Sequence, residues 1–395
     1  MQYVNLKAER RNFERTHKKE RKKLECYNRI TQRYSDRKKK TEWYTVKGNK
    51  SEAEKFLTEK LRELDTGIFI DNKKMKFGEY LDYWLKEYCY NNLSINTVEG
   101  YEQYIEKHIK PILGNIELEK LKPLQLQNFY SEKLKNGKLN KKGGLSKQTV
   151  RSLHRIIHRA LTQAVKWQLV IRNVSDCVEP PKPVKYEAKF LNDEQTNILI
   201  EKSKTSDIYI PVIIAIYTGM RRGEVLGLTW KNINFEKKYI RVMQELSCTK
   251  QGLKILPPKT KKSVRNIAIP DTLIKILKNH RAKQTKNRLL LGKEYFCTDM
   301  VCTYPNGKLF YPKRFSAKFH ELLEKNNLPI IRFHDLRHSH ASLLVKLGIQ
   351  PKVISERLGH SNIGITMDLY SHLYEEADRE VADEFDKIIH ISNVG

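Results

Sequence analysis

A proline- and lysine-rich segment, EPPKPVKYEAK at residues 179–189, restricts the fold of this chain more than any other feature. The segment has no helical or strand periodicity, and proline cannot donate a hydrogen bond within a helix or a central strand. It is therefore predicted to be an interdomain linker. A length of 395 residues is typical of two or three domains, which fits a break at this position.

The charge balance indicates a polyanionic partner. The chain has 75 Lys+Arg against 46 Asp+Glu, a formal net charge of +29. No apolar run reaches the ~18 residues of a membrane-spanning helix, and the N-terminal MQYVNLKAERR lacks the apolar core of a signal peptide. The six cysteines are scattered without a CxxC pair, so neither a zinc ribbon nor a disulfide framework is indicated. A cytoplasmic protein that binds nucleic acid is favoured over a protein at an anionic membrane, and over a basic protein without a specific ligand.

The first 67 residues are dense in lysine and arginine and carry interleaved aromatic residues. Basic side chains between aromatic ones suit a small sheet or an arm that lies along a phosphate backbone. The stretch SEAEKFLTEKLRELDTG has the capping-box spacing of Ser51 and Glu54 and predicts a bracing helix. For residues 1–25 a disordered basic tail is an equally good interpretation.

Residues 74–178 have the spacing of amphipathic helices. In MKFGEYLDYWLKEY the apolar residues fall at helical intervals, and a cap-like Ser94 opens a further helical pattern that ends near Gly114. SKQTVRSLHRIIHRALTQAVKWQLV predicts a long amphipathic helix with a basic face. The net charge favours this face as a candidate DNA-binding surface, although an ordinary solvated face has the same pattern. Its basic residues are Lys147, Arg151, Arg155 and Arg159.

After the linker, the pattern predicts a mostly helical domain with a small sheet. IPVIIAIYTGMRRGEVLGLTW predicts a buried helix, a turn and a second helix, while KKYIRVMQEL and SVRNIAIP predict strands. IRFHDLRHSHASLLVKLG predicts a helix that ends at Gly348, and PKVISERLGH predicts a helix from Pro351 to Gly359. The final stretch, NIGITMDLYSHLYEEADREVADEFDKII, is helical in pattern and turns acidic. The chain is thus expected to be mainly α with small β-sheets.

The stretch FHDLRHSHAS places histidines around an arginine and has two interpretations. His334 and His338 are four residues apart, and two histidines on one helix face can hold a metal ion. Arg337 follows His334 by three residues, on much the same face, and its permanent charge would repel a bound cation. A guanidinium instead grips a phosphate through two parallel hydrogen bonds. The rest of the chain must decide between a metal site and a phosphate site.

Further motifs in the same domain carry residues that suit phosphate chemistry. In TGMRRGE a carboxylate follows an arginine by three residues and can hold the guanidinium in one pose. PKTKK, LGHSN and ITMDLYSH contribute a loop lysine, a histidine and a tyrosine. Each motif is weak alone, because surface ion pairs and solvated lysines are common. The residues concerned are Arg221, Glu224, Lys259, His360 and Tyr370.

In this order and within one domain, these motifs closely resemble those of the tyrosine recombinase family, the integrases of temperate phages and conjugative transposons. The resemblance rests on TGMRRGEVLGLTW, PKTKKSVRNIAIP, HDLRHSHAS, ERLGHSNIGIT and MDLYSH. It implies an arm-type DNA-binding module in residues 1–67, although residues 1–25 depart from the family's strand-rich start. It also implies a helical core-binding domain in 74–178 and, after the linker 179–189, an α+β catalytic domain in 190–395 with an acidic tail helix.

The resemblance also implies a role for each motif residue. Tyr370 matches the nucleophile, whose attack on a DNA phosphate would give a 3′-phosphotyrosine and a free 5′-hydroxyl. Glu224 matches the acidic residue that supports the first arginine, and Lys259 would protonate the leaving 5′-oxygen. Two fixed arginines would stabilise the charge that develops on the phosphate, so neither a metal nor another cofactor is expected. The implied catalytic set is Arg221, Lys259, His334, Arg337, His360 and Tyr370.

Several alternatives stay open from the sequence. Tyr374 is a rival nucleophile four residues after Tyr370 and near the same helix face, while His338 and His340 are interpreted as structural. A type IB topoisomerase uses a similar pocket on a single duplex. A catalytically silent DNA-binding regulator, and a metal-dependent nuclease built on His334 and His338, are the other candidates.

Recombination by this mechanism implies particular partners. Double-stranded DNA would be bound at core sites and at arm sites. Exchange between two duplexes needs four active sites, so a homo-oligomer, a tetramer in the synaptic complex, is expected. Accessory proteins that bend the DNA are further candidates. The acidic tail 376–395 has apolar residues at helical spacing, and it would dock either on a neighbouring protomer or on its own domain.

Overall fold

The computed structural model describes residues 25–33, 39–47, 75–140, 142–183, 190–258, 263–296, 298–359, 363, 364 and 367. The chain divides into two compact units, Met1–Val184 and Lys185–Gly395, and this division falls within the segment 179–189 that the sequence predicts to be a linker. The helix predicted at 51–67, the tail before residue 25 and the acidic tail 376–395 lie outside the described residues.

Two strands near the N-terminus form an antiparallel hairpin. β1 (Glu25–Arg33) pairs with β2 (Lys39–Lys47), and the register runs from Glu25 opposite Lys47 to Arg33 opposite Lys39. A small sheet was one of the two arrangements that the basic and aromatic composition of this region suits.

The described residues from 75 to 183 in the first unit are mainly helical. The apolar stripe predicted in MKFGEYLDYWLKEY is buried, and its largest member, Trp84, is 0% exposed. The long helix that carries the basic face, Lys147–Lys166, buries its other, apolar face. Each leucine or isoleucine buried there stabilises the unit by ~1.5–3 kcal/mol. Ser146 caps this helix by accepting a hydrogen bond from the Thr149 amide at 3.2 Å. The helices are α1 (Phe77–Trp84), α2 (Ile95–Tyr104), α3 (Pro123–Asn136) and α4 (Lys147–Lys166).

Two of these helices continue through π-helical turns that the apolar spacing does not predict. α1 continues through Leu85–Cys89, and α2 continues through Ile105–Ile109. A π turn inserts one residue into the helical repeat and so changes which side chains face inward. Cys89 and Ile109, at the ends of these turns, are both fully buried.

The second unit packs its helices around an apolar helix and a small sheet. The helix at Tyr209–Thr218 is apolar on nearly all sides, as a buried helix is expected to be, and Val212 and Ile214 within it are 0% exposed. The helices are α5 (Asp193–Ser203), α6 (Tyr209–Thr218), α7 (Arg222–Leu226), α8 (Asp271–Leu291), α9 (Pro312–Lys325), α10 (Leu336–Lys346) and α11 (Pro351–Leu358). Among the described residues, no helix combines the length and apolar character that crossing a membrane requires.

The strand predicted over KKYIRVMQEL is wrong as a single element, because the chain divides it between two sheets. Of the five strands described in this unit, the first, second and fifth form one antiparallel sheet in that order, whereas the third and fourth form a separate hairpin. The change of direction occurs where Gln244 Nε2 donates to the Gly227 carbonyl at 2.8 Å. The strands are β3 (Ile233–Asn234), β4 (Tyr239–Val242), β5 (Glu245–Thr249), β6 (Gly252–Leu256) and β7 (Arg265–Ala268).

The helix predicted over IRFHDLRHSHASLLVKLG begins later than the pattern indicates. Phe333–Asp335 form a 3₁₀ turn, and α10 starts at Leu336. His334 therefore lies before the α-helix, so the α-helical spacing that placed it on one face with Arg337 does not apply to it. The helix predicted from Pro351 is confirmed as α11, with Gly359 in the left-handed region at φ +67 as its cap.

Candidate active site

The site is built around the turn that joins α6 to α7. Gly219 makes this turn with a φ of +64, which favours glycine. A Cβ at Gly219 would lie 2.5 Å from Leu358 Cδ2 and 2.7 Å from His340 Cδ2, so the turn also needs a residue without a side chain. The turn delivers Arg221 to the first position before α7, where its amide donates to Glu224 Oε2 at 2.9 Å.

Glu224 joins two arginines through one carboxylate. Oε1 accepts from Arg221 Nη1 at 2.8 Å and from Arg265 Nη1 at 3.2 Å. Oε2 accepts from Arg265 Nη2 at 2.9 Å. Burial alone would raise the pKa of Glu224, but the hydrogen bonds and charges of Arg265 and then Arg221 lower the pKa below its ordinary value. The carboxylate is thus ionised at neutral pH and holds Arg221 in one pose.

The C-terminus of α11 holds the arginines of the site. Its last carbonyls have no helical partner and carry the negative end of the helix dipole, which favours cations. Three consecutive carbonyls each accept from a different arginine. The pairs are Arg265 Nε to the Arg357 carbonyl at 2.8 Å, Arg337 Nη2 to the Leu358 carbonyl at 2.6 Å, and Arg221 Nη2 to the Gly359 carbonyl at 3.0 Å. Three guanidiniums from separate segments are therefore held around one helix end.

Arg337 also connects the ends of α6 and α11. Its Nη1 donates to the Gly219 carbonyl at 2.9 Å, while its Nη2 reaches α11. Burial, and then the charges of Arg221 and Arg265, lower the pKa of Arg337 to about 9, with Glu224 acting in the opposite direction. The guanidinium is still charged at neutral pH and is buried, and among the described residues no carboxylate forms an ion pair with it.

His340 and Arg357 hold the end of α6. His340 Nδ1 donates to the Ile216 carbonyl at 2.8 Å, and its Nε2 accepts from Arg357 Nε at 3.2 Å. Arg357 Nη2 donates to the Tyr217 carbonyl at 3.0 Å. Burial, and then the charge of Arg357, lower the pKa of His340 to about 4, so the ring is neutral at pH 7. These contacts agree with the structural role that the sequence suggests for His340.

His334 is partly exposed and lies beside the arginine cluster, close enough for the charges of Arg337 and Arg221 to act on its ring. Desolvation, and then the charges of Arg337 and His338, lower its pKa, so its ring is neutral at pH 7. Its ring centroid is 6.0 Å from that of His338. The neighbouring Asp335 is fully buried and bonds Arg332 at 2.7 Å, which fixes the turn that carries His334.

Several residues of the implied catalytic set lie outside the described residues: Lys259, His360 and Tyr370. His360 follows Gly359 directly in the chain, and the Gly359 carbonyl accepts from Arg221. The described residues therefore bring together Arg221, Glu224 and Arg337, with His334 alongside.

The basic face of α4 divides into two groups. Lys147, Arg151 and Arg155 are exposed, as a DNA-binding surface requires. Arg159 is half-buried, since its guanidinium lies 5.9 Å from the centre of the Tyr88 ring and its Nη1 donates to the Tyr101 hydroxyl at 3.5 Å. The structure thus places Arg159 within the packing of the first unit.

The sequence interpretation missed Arg265 and Arg357. Both lie within quoted motifs, SVRNIAIP and ERLGHSNIGIT, but neither has a local spacing that separates it from an ordinary basic residue. The one available signal was an arginine within a predicted strand, between Val264 and Ile267.

Two regions of this chain match known protein families. Residues 189–377 match the phage integrase family, and residues 76–134 match the phage integrase N-terminal SAM-like domain. A tyrosine recombinase XerC-like protein of Caldanaerobacter subterraneus subsp. tengcongensis is 28% identical over 344 residues, covering 82% of this chain and 86% of the relative. The ICEBs1 integrase of Bacillus subtilis is 28% identical over 301 residues, covering 74% of this chain and 78% of the relative.

Solved structures share the fold. The Tn1549 transposon integrase, in complex with transposon right end DNA, has a TM-score of 0.65 at 22% identity, covering 78% of this chain and 99% of that chain. A lambda integrase dimer bound to a core site has a TM-score of 0.56 at 18% identity, covering 75% of this chain and 95% of that chain. The mainly α fold with small sheets that the sequence predicts is thereby confirmed.

Proposed function

Because the chain belongs to the phage integrase family of tyrosine recombinases, we propose that it cuts and rejoins DNA at specific sites through a covalent 3′-phosphotyrosine formed by Tyr370. One observation carries the proposal. Arg221 and Arg337 come from distant parts of the sequence, yet they donate to consecutive carbonyls at the end of α11. The chain that follows this end contains His360 and Tyr370.

The two arginines keep donors for a phosphate. A guanidinium has five N–H groups, and the described hydrogen bonds use one on Nη1 and one on Nη2 of each arginine. Attack on a phosphodiester adds negative charge to its nonbridging oxygens. Donors already fixed in place stabilise that charge most strongly in the transition state, typically by ~3 kcal/mol for each donor.

The proposed cleavage step exchanges one phosphoester for another. Tyr370 Oη bonds to phosphorus, and the bond from phosphorus to the 5′-oxygen breaks. Tyr370 gives up its proton to a base, for which a neutral His334 or His360 is suitable, and Lys259 gives a proton to the leaving oxygen. A phenol titrates near pH ~10, and nearby cations favour its ionised form. A second 5′-hydroxyl then reverses the step, so no nucleotide cofactor is needed.

The proposal extends to partners and domains. We assign core-site DNA binding to residues 74–178, with Lys147, Arg151 and Arg155 as phosphate contacts, and arm-site binding to residues 1–67. Catalysis is assigned to residues 190–395, after a linker at 179–189. Strand exchange would take place in a homotetramer, with DNA-bending accessory proteins as further partners.

We propose that the DNA substrate is the end of a mobile element, and incubation with a nicked suicide duplex of that end tests the proposed cleavage. The short 5′-hydroxyl fragment diffuses away, so wild-type protein should accumulate as an adduct on the 3′ end. Tyr370→Phe should bind the duplex equally well and form no adduct, whereas the matched control Tyr374→Phe should retain it. Mass spectrometry of the DNA-linked peptide identifies the tyrosine.

Other outcomes would overturn the proposal in specific ways. Absence of any adduct with wild-type protein removes the covalent mechanism and favours a silent DNA-binding regulator. Relaxation of supercoils without exchange between two sites would indicate a type IB topoisomerase-like activity. An adduct that persists in Tyr370→Phe and disappears in Tyr374→Phe would transfer the role to the second tyrosine.

A further inference from the structure

We propose that Arg265 is a positioning residue for strand cleavage, which keeps Arg221 and the end of α11 in register without contacting DNA. This inference rests on the proposed function. The arginine lies on β7, the third strand of the small sheet, opposite Val242 of β4. It therefore joins the sheet to the end of α11, whose carbonyls accept hydrogen bonds from the two phosphate-binding arginines.

The hydrogen bonds of Arg265 separate it from the arginines that would bind phosphate. Its Nε donates to the Arg357 carbonyl, its Nη1 to the Ser263 carbonyl and Glu224 Oε1, and its Nη2 to Glu224 Oε2. These bonds use all but one of the five N–H groups of a guanidinium. The side chain of Arg265 is 7% exposed, against 32% for Arg221. Arg221 can therefore reach a phosphate. Arg337 is only 3% exposed, so exposure does not distinguish it from Arg265. Its described hydrogen bonds, however, use two N–H groups, against four for Arg265, which serves the protein interior.

Arg265 acts on Arg221 through Glu224. The Glu224 carboxylate is 2% exposed and receives a two-pronged contact from Arg265, so its orientation is fixed from the sheet side. Arg221 binds the same two carboxylate oxygens, because its Nη1 donates to Oε1 and its amide donates to Oε2. A lysine ammonium cannot bind both oxygens of Glu224 in the plane of the carboxylate and also reach the Arg357 carbonyl. Arg265→Lys therefore keeps the positive charge and removes this set of hydrogen bonds.

The same arginine fixes the end of α11. Its bond to the Arg357 carbonyl lies one residue before the Leu358 carbonyl, which binds Arg337, and two before the Gly359 carbonyl, which binds Arg221. A shift of α11 along its axis would move both phosphate-binding arginines together. A displacement of about 1 Å at a reacting centre costs on the order of 100-fold in rate.

The test compares Arg265→Lys with wild type under saturating nicked duplex, and measures the rate of adduct formation and the DNA affinity. Two scissile groups are used: an ordinary phosphate, and a methylphosphonate that replaces one charged oxygen by a methyl group. On phosphate, we expect a rate loss of ~10–100-fold at unchanged affinity. On methylphosphonate the loss should be at least several-fold smaller, because less charge develops for Arg221 to stabilise. Arg241→Lys, on the exposed side of β4, is the matched control and should behave as wild type on both substrates.

The outcomes separate this inference from the proposed function. Absence of an adduct with wild-type protein counts against the proposed function. A wild-type rate in Arg265→Lys, or an equal loss on both substrates, overturns the positioning role. If Arg265→Lys does not fold, Glu224→Gln decides, since it removes the charge that links the two arginines and keeps the shape. Glu224→Gln should lose more of the rate of adduct formation on phosphate than on methylphosphonate. Equal losses of rate on the two substrates would contradict the inference.

Discussion

Replacing Gly219 by alanine tests whether Leu358 of α11 and His340 pack directly against the turn after α6. The φ of +64 at this position costs an L-residue ~1–2 kcal/mol. The added Cβ would lie 2.7 Å from a His340 ring that is bonded at both nitrogens, so that ring has little freedom to retreat. Overpacking of this kind costs about 1–3 kcal/mol. We therefore expect Gly219→Ala to reduce the free energy of unfolding of the second unit by about 2–5 kcal/mol.

Gly348→Ala is the matched control for this substitution. Gly348 has a similar φ of +69, but a Cβ there would meet nothing within 4 Å. Alanine also lowers the entropy of the unfolded chain, by ~0.4–1 kcal/mol, so the net cost at Gly348 should be about 1 kcal/mol. Pulsed hydrogen–deuterium exchange along a urea gradient, followed on peptides of the second unit, measures both losses. Equal losses in the two variants would refute the close approach of α6, α11 and His340.

Other predictions concern pH, the arginine clamp and DNA binding. The pKa of His340 falls from 6.5 to about 4 on folding, so the unfolded chain binds the proton first. This group should therefore lower the free energy of unfolding by about 3 kcal/mol as the pH falls through that window. The pKa values of His334 and His280 are lowered as well, so His340→Asn should make the decline in unfolding titrations about 3 kcal/mol smaller without abolishing it. Arg337→Ala should bind DNA nearly as well as wild type and form the adduct on the order of 100- to 1,000-fold more slowly in single-turnover assays. DNA affinity should fall steeply with salt, and Lys147→Gln or Arg151→Gln should each reduce the slope of log K against log[salt] by about 1. Arg159→Gln should instead lower the thermal midpoint, and an unchanged midpoint with a reduced salt slope would reverse this assignment.

The sequence predicted elements whose signals are local. Helix α11 follows from Pro351 at its start and Gly359 at its end, and the buried stripe of α1 follows from apolar spacing. The family and the mainly α fold class, both predicted from the motifs, are confirmed. The assignment of Tyr370 as the nucleophile stays a prediction.

Features that depend on distant contacts could not be predicted in this way. The division of KKYIRVMQEL between two sheets depends on the bond from Gln244 to Gly227. The 3₁₀ turn at His334 depends on the pairing of Arg332 with a buried Asp335. The role of Arg265 follows from its burial against Glu224, which no spacing reveals. In each case a contact between side chains or segments determines the conformation or the role. The local spacing of apolar and polar residues does not predict that contact.

A crystal structure of the covalent complex, trapped on a nicked duplex, would show which groups hold the phosphate. We predict that the phosphorus attached to Tyr370 Oη has Arg221 and Arg337 donors within hydrogen-bond distance of its nonbridging oxygens, with Arg265 still bonded to Glu224. A phosphotyrosine whose oxygens are bound by other groups, with either guanidinium turned away, would contradict it.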